Sequence, residues 1–498
     1  MSWMPKPQRS VAGLGAACIA LSVAPLVPRA EASVTISSGA TENMSCSGGV
    51  CSPTKANAVL NSSSLENMLA AGNVTVTSTG SGSVQANDIV VGAALTWRSS
   101  DSLTLSAKQS IAFDANLSVT GKGGLTLNDA GEESLAFNNA ASVSFSKLAS
   151  SLVINGNSYV LVNTVAGFAS AVSSNQNGFF ALAANYNAAS DGTYPSAPVQ
   201  GNNATGGMNG IFEGLGHSIS NLTIVDGTQS AGCDGLISNA PQETISNFGM
   251  VNFSITSTGD QGANYAGGIV CNNNTNGLIW RSYATGEISM GRLDAAGGLE
   301  FGGGLIVQSW ANVAISGGQG SAFGGLTTGT AVIDQSFFMG SVSCTGGSCQ
   351  LGGLALGLSQ GGTITNSYSV ATVTDGGPGT DDSYVGGLLS QTGGNTVEQS
   401  YAAGKITTPD SGCANNTDCV GGLFGIDNGN SNTHVYWNTT KTGIGAAAGN
   451  ESSDPGTKGL GNRIFIAKLP KGFSKKIWAE SPSINNGLPY LIANPPPS

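Results

Sequence analysis

Few residues of this 498-residue chain are of types that do chemistry. Two pairs of adjacent carboxylates stand out, Asp381-Asp382 and Glu132-Glu133, and there are two histidines, His217 and His434. Paired carboxylates can divide into a general acid and a general base when they occupy distinct environments in a groove. Both pairs lie in Gly-rich loop sequence with no basic residue beside them to orient a sugar acid, so no catalytic residue is assigned. A histidine-dependent triad would need the two ends of a long repeat array to meet, and each histidine is expected to be structural or superficial. The stretch Gly376-Gly377-Pro378-Gly379-Thr380-Asp381 matches the start of a calcium-binding nonapeptide. Its apolar position is Ser383 and it has no tandem copy, so no cofactor is expected, calcium being the one ion this loop could take.

The cysteines carry the other chemistry. Lys6 and Arg9 precede an apolar run from Val11 to Val27, and Ala30-Glu31-Ala32 offers a cleavage site, so residues 1–32 read as a signal peptide. Cys18 lies inside that run, but Gly15 stands where a lipidation signal has a large aliphatic residue. Pro25 and Pro28 interrupt the run and no second one exists, so the mature chain is not expected to span a membrane. Eight of the nine cysteines remain after cleavage, an even number in an exported chain, which predicts disulfides. Cys46 and Cys51, Cys344 and Cys349, and Cys413 and Cys419 each bracket a short polar loop that can bring the sulfurs together. Cys233 and Cys271 pair by elimination. Loss of Lys6, Arg9 and Arg29 against Glu31 takes the formal charge from -11 to -13. That balance repels nucleic acid and anionic membrane surfaces.

What must position these residues is a repeat. Gly-Gly followed by an apolar residue recurs at Gly267, Gly297, Gly324, Gly352, Gly386 and Gly421, at intervals of 30, 27, 28, 34 and 35 residues. A serine and an aromatic follow at Ser282-Tyr283, Ser309-Trp310, Ser336-Phe337, Ser367-Tyr368 and Ser400-Tyr401. Periods in this range mean solenoids, propellers or arrays. In a solenoid, stacking puts like residues above like, so Tyr283, Trp310, Phe337, Tyr368 and Tyr401 are expected to form an aromatic column in the core. The alternative for such a row is a sugar-binding platform. The serines form a neighbouring hydroxyl column, preceded by Arg281, Gln308, Gln335, Asn366 and Gln399, mostly amides able to bond up a stack.

Before the array, residues 33–164 alternate apolar and polar residues over short runs such as Leu103-Thr104-Leu105 and Val143-Ser144-Phe145, which predicts strands with one buried face. Over 165–210, Val165, Phe168, Ala169 and Val172 fall at helical spacing, and a Gly, Asn and Pro loop follows. The array proper runs over 211–437. Residues 438–498 form a linker and a cap, in which Ile464, Phe465, Ile466, Leu469 and Trp478 are expected to cover the open end while Lys458, Arg463, Lys468, Lys471, Lys475 and Lys476 face water.

The segment from Phe212 to Ile224, with the Gly-Gly-Leu and Ser-aromatic repeats and the ending Ile484 to Leu491, resembles the GLUG-motif repeat family of bacterial exported proteins. Residues 33–164 resemble the strand-rich part of filamentous-haemagglutinin-type adhesins. The resemblance implies an all-β fold, a right-handed parallel β-helix with a short helical insertion and a C-terminal cap. It further implies export from a Gram-negative cell, through an outer-membrane secretion partner, and adhesion to a host or cell-surface glycan or protein. A carbohydrate-active enzyme on the same scaffold is the alternative. Because repeat length varies between the strand after the aromatic and the next Gly-Gly, the binding face is expected to be a ridge of loops on one edge, bearing Asp294, Asp375, Asp381, Asp382, Asp410 and Asp418.

Overall fold

The computed structural model describes residues 33–80, 86–131, 134–200, 207–227, 232–240, 242–257, 264–273, 277–377, 382–409, 413, 418–450 and 454–497. The leader and the Glu132-Glu133 pair lie outside them. The alternating runs become short strands that bury every second residue, as in Leu103–Ser106 and Leu125–Asn128. They associate almost entirely in parallel, each with the corresponding strand one turn of the chain away. One sheet contains Ser33–Ser37, Ala58–Asn61, Asp88–Val91, Ile111–Phe113 and Leu135–Phe137. A second contains Leu95–Trp97, Leu117–Val119 and Val143–Phe145. A third carries Val74–Thr77, Leu103–Ser106, Leu125–Asn128 and Leu152–Ile154. Their inward residues, including Val34, Ile89, Leu105, Phe113 and Val119, are fully buried in one cluster.

Two α-helices interrupt the strands that precede the array. Ser62–Leu69 has no counterpart in the sequence reading; Asn61 caps it, accepting from the Ser64 amide, and Leu65 and Leu69 are buried. It lies beneath the edge strand Leu95–Trp97, whose Thr96 amide donates to Glu66 Oε1 at 2.8 Å, so the open edge is covered rather than left as a pairing template. Val165–Ser174 is the expected helix, capped by Thr164, with Val165, Phe168 and Val172 buried. Phe168 stacks on Phe212 at 4.3 Å. The N-terminal ladder ends just before this insertion in an antiparallel pair, Leu152–Ile154 with Asn157–Val162, and a parallel ladder starts again across the helix. Asn157–Val162 pairs with Phe179–Leu182, which pairs with Ile211–Glu213, which pairs with Thr244–Ser246.

Over the array each repeat contributes to three parallel sheets. Ala295–Gly297 opens one repeat, Glu300–Gly302 and Leu305–Val307 form a bent second side, and Trp310–Gly317 forms the third, each in register with the repeats before and after. Ile269, Leu299, Leu326, Leu354, Leu388 and Leu423 point inward and are wholly buried. In five of the six pairs the second glycine is required by contact between neighbouring repeats: a Cβ on Gly298 would run into the Gly325 carbonyl oxygen, and one on Gly325 into that of Gly353. The serines form the expected column. The Ser282 amide donates to Ser309 Oγ at 3.0 Å, Ser309 to Ser336, Ser336 to Ser367 and Ser367 to Ser400, each at 3.1 Å. The preceding residues, Arg281, Gln308, Gln335, Asn366 and Gln399, all have φ between 41° and 47°. Turn geometry is thus common to the whole row, with amide bonding such as Arg281 Nε to Gln308 Oε1 added on top.

The aromatic column forms but does not lie in the main core. Tyr283, Trp310, Phe337, Tyr368 and Tyr401 are paired in register, with ring centroids 4.8 to 5.8 Å apart and planes within 7°. The next residue of each strand, Ala284, Ala311, Phe338 and Ala402 among them, points into the core, so the rings point outward. Phe337, Tyr368 and Tyr401 belong instead to a separate cluster with Tyr436, Phe465, Phe473, Trp478, Leu488 and Leu491. This corrects the expected cap. After Thr457–Leu460 adds a last parallel rung to Val435–Asn438, the C-terminal segment folds back along the side of the array over the column. Trp478 Nε1 donates to Asn366 Oδ1, the Tyr401 hydroxyl to the Pro489 carbonyl, and Asn494 Nδ2 to the Gln335 carbonyl. Phe465 and Trp478 are buried there, whereas Ile464 and Ile466 are 49% and 46% exposed.

Candidate functional site

All four expected disulfides are present: Cys46–Cys51, Cys233–Cys271, Cys344–Cys349 and Cys413–Cys419. The strands flanking the described variable loops, Ser289 to Ala296, Ser316 to Phe323 and Ser343 to Leu351, are in register, so these loops leave from one edge, and Cys344–Cys349 staples the last of them. The acidic character of that edge differs from expectation. Asp294 is 1% exposed, because Oδ1 accepts from the Asn264 amide and Oδ2 from the Gly291 amide, each at 2.8 to 2.9 Å. Asp375 is 3% exposed and its Oδ1 accepts from the Gly377 amide. Asp418 is half-buried and accepts from the Ser383 amide. These carboxylates hold loop backbone instead of tipping the ridge, since amides in a tight turn need acceptors. Asp382 is exposed; Asp381, Asp410 and most of the nonapeptide-like stretch lie outside the described residues. Among the described residues no three His, Cys, Asp or Glu side chains converge as a metal site would require.

The histidines are placed apart. His217 Nε2 donates to the Val143 carbonyl at 2.9 Å, and burial pushes its pKa down, so the ring is neutral and ties the N-terminal sheets to the array. His434 occupies the left-handed turn position of the last repeat, with φ 56°. The acids with displaced pKa values are interior. Glu213 Oε1 accepts from the Leu215 amide and Oε2 from Ser246 Oγ and Asn247 Nδ2, yet burial still pushes the carboxyl up to about 7. Burial, with Asp226 nearby, raises Asp234 to about 7, and burial, with Glu300 nearby, raises Glu243 well above the usual carboxylate range. Glu213, Asp234 and Glu243 are 4%, 0% and 1% exposed, which closes them to substrate.

The aromatic column offers no sugar platform either. A sugar stacks on a ring face, and here the faces of successive rings are occupied by one another.

What remains open is the bend of the second side, a place the sequence reading did not single out. There the corresponding turns of successive repeats line a shallow groove of about 540 Å³, bounded by Gly302, Thr328, Gly329, Leu356, Gly357, Leu358, Gln391, Thr392 and Gly393. Parallel register sets Gly329 beside Gly357 and Thr330 beside Leu358, so the groove runs along the stacking direction. Its polar groups are fixed: Gln391 Nε2 donates to Gln350 Oε1 at 3.3 Å, and Thr392 Oγ1 accepts from Asn430 Nδ2 at 2.6 Å. The floor glycines differ from the paired ones. A Cβ on Gly329, Gly357 or Gly393 would meet nothing closer than 3.7, 3.4 and 3.7 Å respectively. Backbone packing therefore does not demand glycine there, and what its absence of a side chain preserves is open surface. The sequence signal was present as a second zone of variable length, Gly357 to Gly362 against Gly302 to Gly304 and Gln391 to Asn395.

No protein-family model matches the chain, and no curated protein does. Among solved structures it is similar to a crystal structure described as a "putative immunoglobulin A1 protease" from Bacteroides ovatus, at 18% identity and a TM-score of 0.39, over 68% of this chain and 92% of that one. A likeness at that level bears on neither mechanism nor substrate.

Proposed function

We propose that the chain is an exported attachment protein, a right-handed parallel β-helix that holds an extended polyhydroxylated polymer, such as a cell-surface glycan, along the groove of its bent side. The observation that carries this reading is the glycine floor, kept low where packing would tolerate a side chain. Leu356 and Leu358 offer apolar contact to sugar C–H faces, and Thr328 and Gln391 offer hydrogen bonds. Four disulfides and the lack, among the described residues, of any helix long and apolar enough to cross a membrane agree with an extracellular or periplasmic setting. Binding is favoured over hydrolysis because none of the nine lining residues carries an ionisable group for acid–base chemistry.

The test fills the groove. Gly357→Leu and Gly393→Leu should each lower attachment to a glycan array or to cells by about tenfold or more while the β signal in circular dichroism is unchanged. Replacing loop 375–384 with a glycine turn should leave attachment intact. Retained attachment in the groove variants, with loss in the shortened loop variant, would return the binding face to the stapled edge.

A further inference from the structure

Three of the 18 basic residues meet in one place outside the array. Arg98, Lys122 and Lys147, with Ser100, Thr120 and Gly121, line a recess of about 530 Å³. Each cation comes from the turn that follows a strand of the same parallel sheet, Leu95–Trp97, Leu117–Val119 and Val143–Phe145. Register aligns Trp97, Val119 and Phe145. The ladder then continues into the turns, where the Thr120 amide donates to the Trp97 carbonyl and the Ser146 amide to the Val119 carbonyl, each at 2.9 Å. The cations therefore stand on three successive rungs, about 4.8 Å apart along the stack.

The turns are held by their own bonds, so the cations are not drawn in by the fold. Trp97 Nε1 donates to the Asp101 carbonyl at 3.0 Å, Thr120 Oγ1 to the Trp97 carbonyl at 2.9 Å, and Ser150 Oγ to the Gly121 carbonyl at 3.2 Å. A Cβ on Gly121 would collide with the Arg98 and Ser99 carbonyls, which keeps neighbouring turns in contact. Arg98, Lys122 and Lys147 are exposed, and among the described residues none of the three side chains makes an ion pair or hydrogen bond. The nearby Glu66 carboxylate is engaged by the Thr96 amide. Like charges on adjacent rungs repel, at a modest cost because they are in water, and an anion laid across them removes that repulsion.

We propose that this recess binds an anionic polysaccharide bearing a carboxylate on each sugar, laid along the stacking direction. One cation per rung matches a ligand whose charge also repeats, and the hydroxyls of Ser100 and Thr120 suit sugar oxygens. Nucleic acid is disfavoured by the lack of any aromatic side chain lining the recess on which bases could stack.

The probe is polygalacturonate, immobilised and exposed to the full mature chain, with neutral dextran, dextran sulfate and phosphatidylglycerol vesicles as comparison surfaces. The parent should bind polygalacturonate more tightly than dextran and lose that margin at high salt. The triple variant R98Q/K122Q/K147Q should bind polygalacturonate at least about tenfold more weakly with unchanged circular dichroism, while its attachment to neutral glycan stays at the parent's level, separating the recess from the groove. A triple variant that binds as tightly as the parent, or a parent that prefers the vesicles or dextran sulfate, would overturn the proposal.

Discussion

Glu213 gives a pH dependence whose sign and size follow from one buried group. In the folded chain its carboxyl is pushed up to about 7, against 4.5 for an unburied glutamate. A folded pKa above the unfolded one means that the native state holds the proton longer. Its contribution to stability is whole below pH 4.5, declines as pH rises, and is lost by about pH 7. The difference of roughly 2.5 pKa units corresponds to about 3 kcal/mol between pH 4 and pH 8. Asp234 and Glu243 shift in the same direction and add to the slope. A long repeat array need not unfold as one unit, so the measurement should be local: amide exchange over Ile211–Glu213 and Thr244–Ser246, corrected for the intrinsic rate at each pH. Opening there should become about two orders of magnitude more frequent from pH 4 to pH 8. Glu213→Gln keeps an acceptor for the Leu215 amide and removes the charge, at the cost of facing its amide nitrogen to Asn247 Nδ2. The variant should flatten the profile. A parent profile already flat, or a variant with the parent's slope, would refute the reasoning.

Two further outcomes test the packing. Trp478 is 1% exposed and packs on Phe473, Tyr368 and Tyr401, so Trp478→Ala should weaken docking of the C-terminal segment by about 3 to 5 kcal/mol, read as its faster removal by limited proteolysis while the array keeps its β signal. Ser309 Oγ accepts from the Ser282 amide and donates to the Val307 carbonyl inside a buried column, so Ser309→Ala should cost about 1 to 3 kcal/mol, with faster exchange of the Ser282 amide as the check.

The repeats, the inward aliphatic after each Gly-Gly and the serine column follow from sequence because in a stack of parallel repeats position in the period fixes position in space, whereas three of the cysteine pairings follow from the short loops they bracket and the fourth from elimination. The helix at 165–174 was legible for the same kind of reason, since Val165, Phe168 and Val172 recur at 3.6 residues. Four matters were decided only by tertiary structure. Whether a conserved phase points in or out depends on the strand's alternation, and at Tyr368 and Tyr401 it points out, toward a C-terminal segment far away in the chain. Whether an aspartate tips a loop or holds it depends on which amides the loop leaves unbonded, and at Asp294 and Asp375 those amides are within reach. Whether a glycine serves the backbone or the surface cannot be told from its letter; the carbonyl of the next repeat crowds Gly298, while open space lies over Gly357. Likewise Arg98, Lys122 and Lys147 are 24 and 25 residues apart along the chain, and only the registered turns bring their charges together.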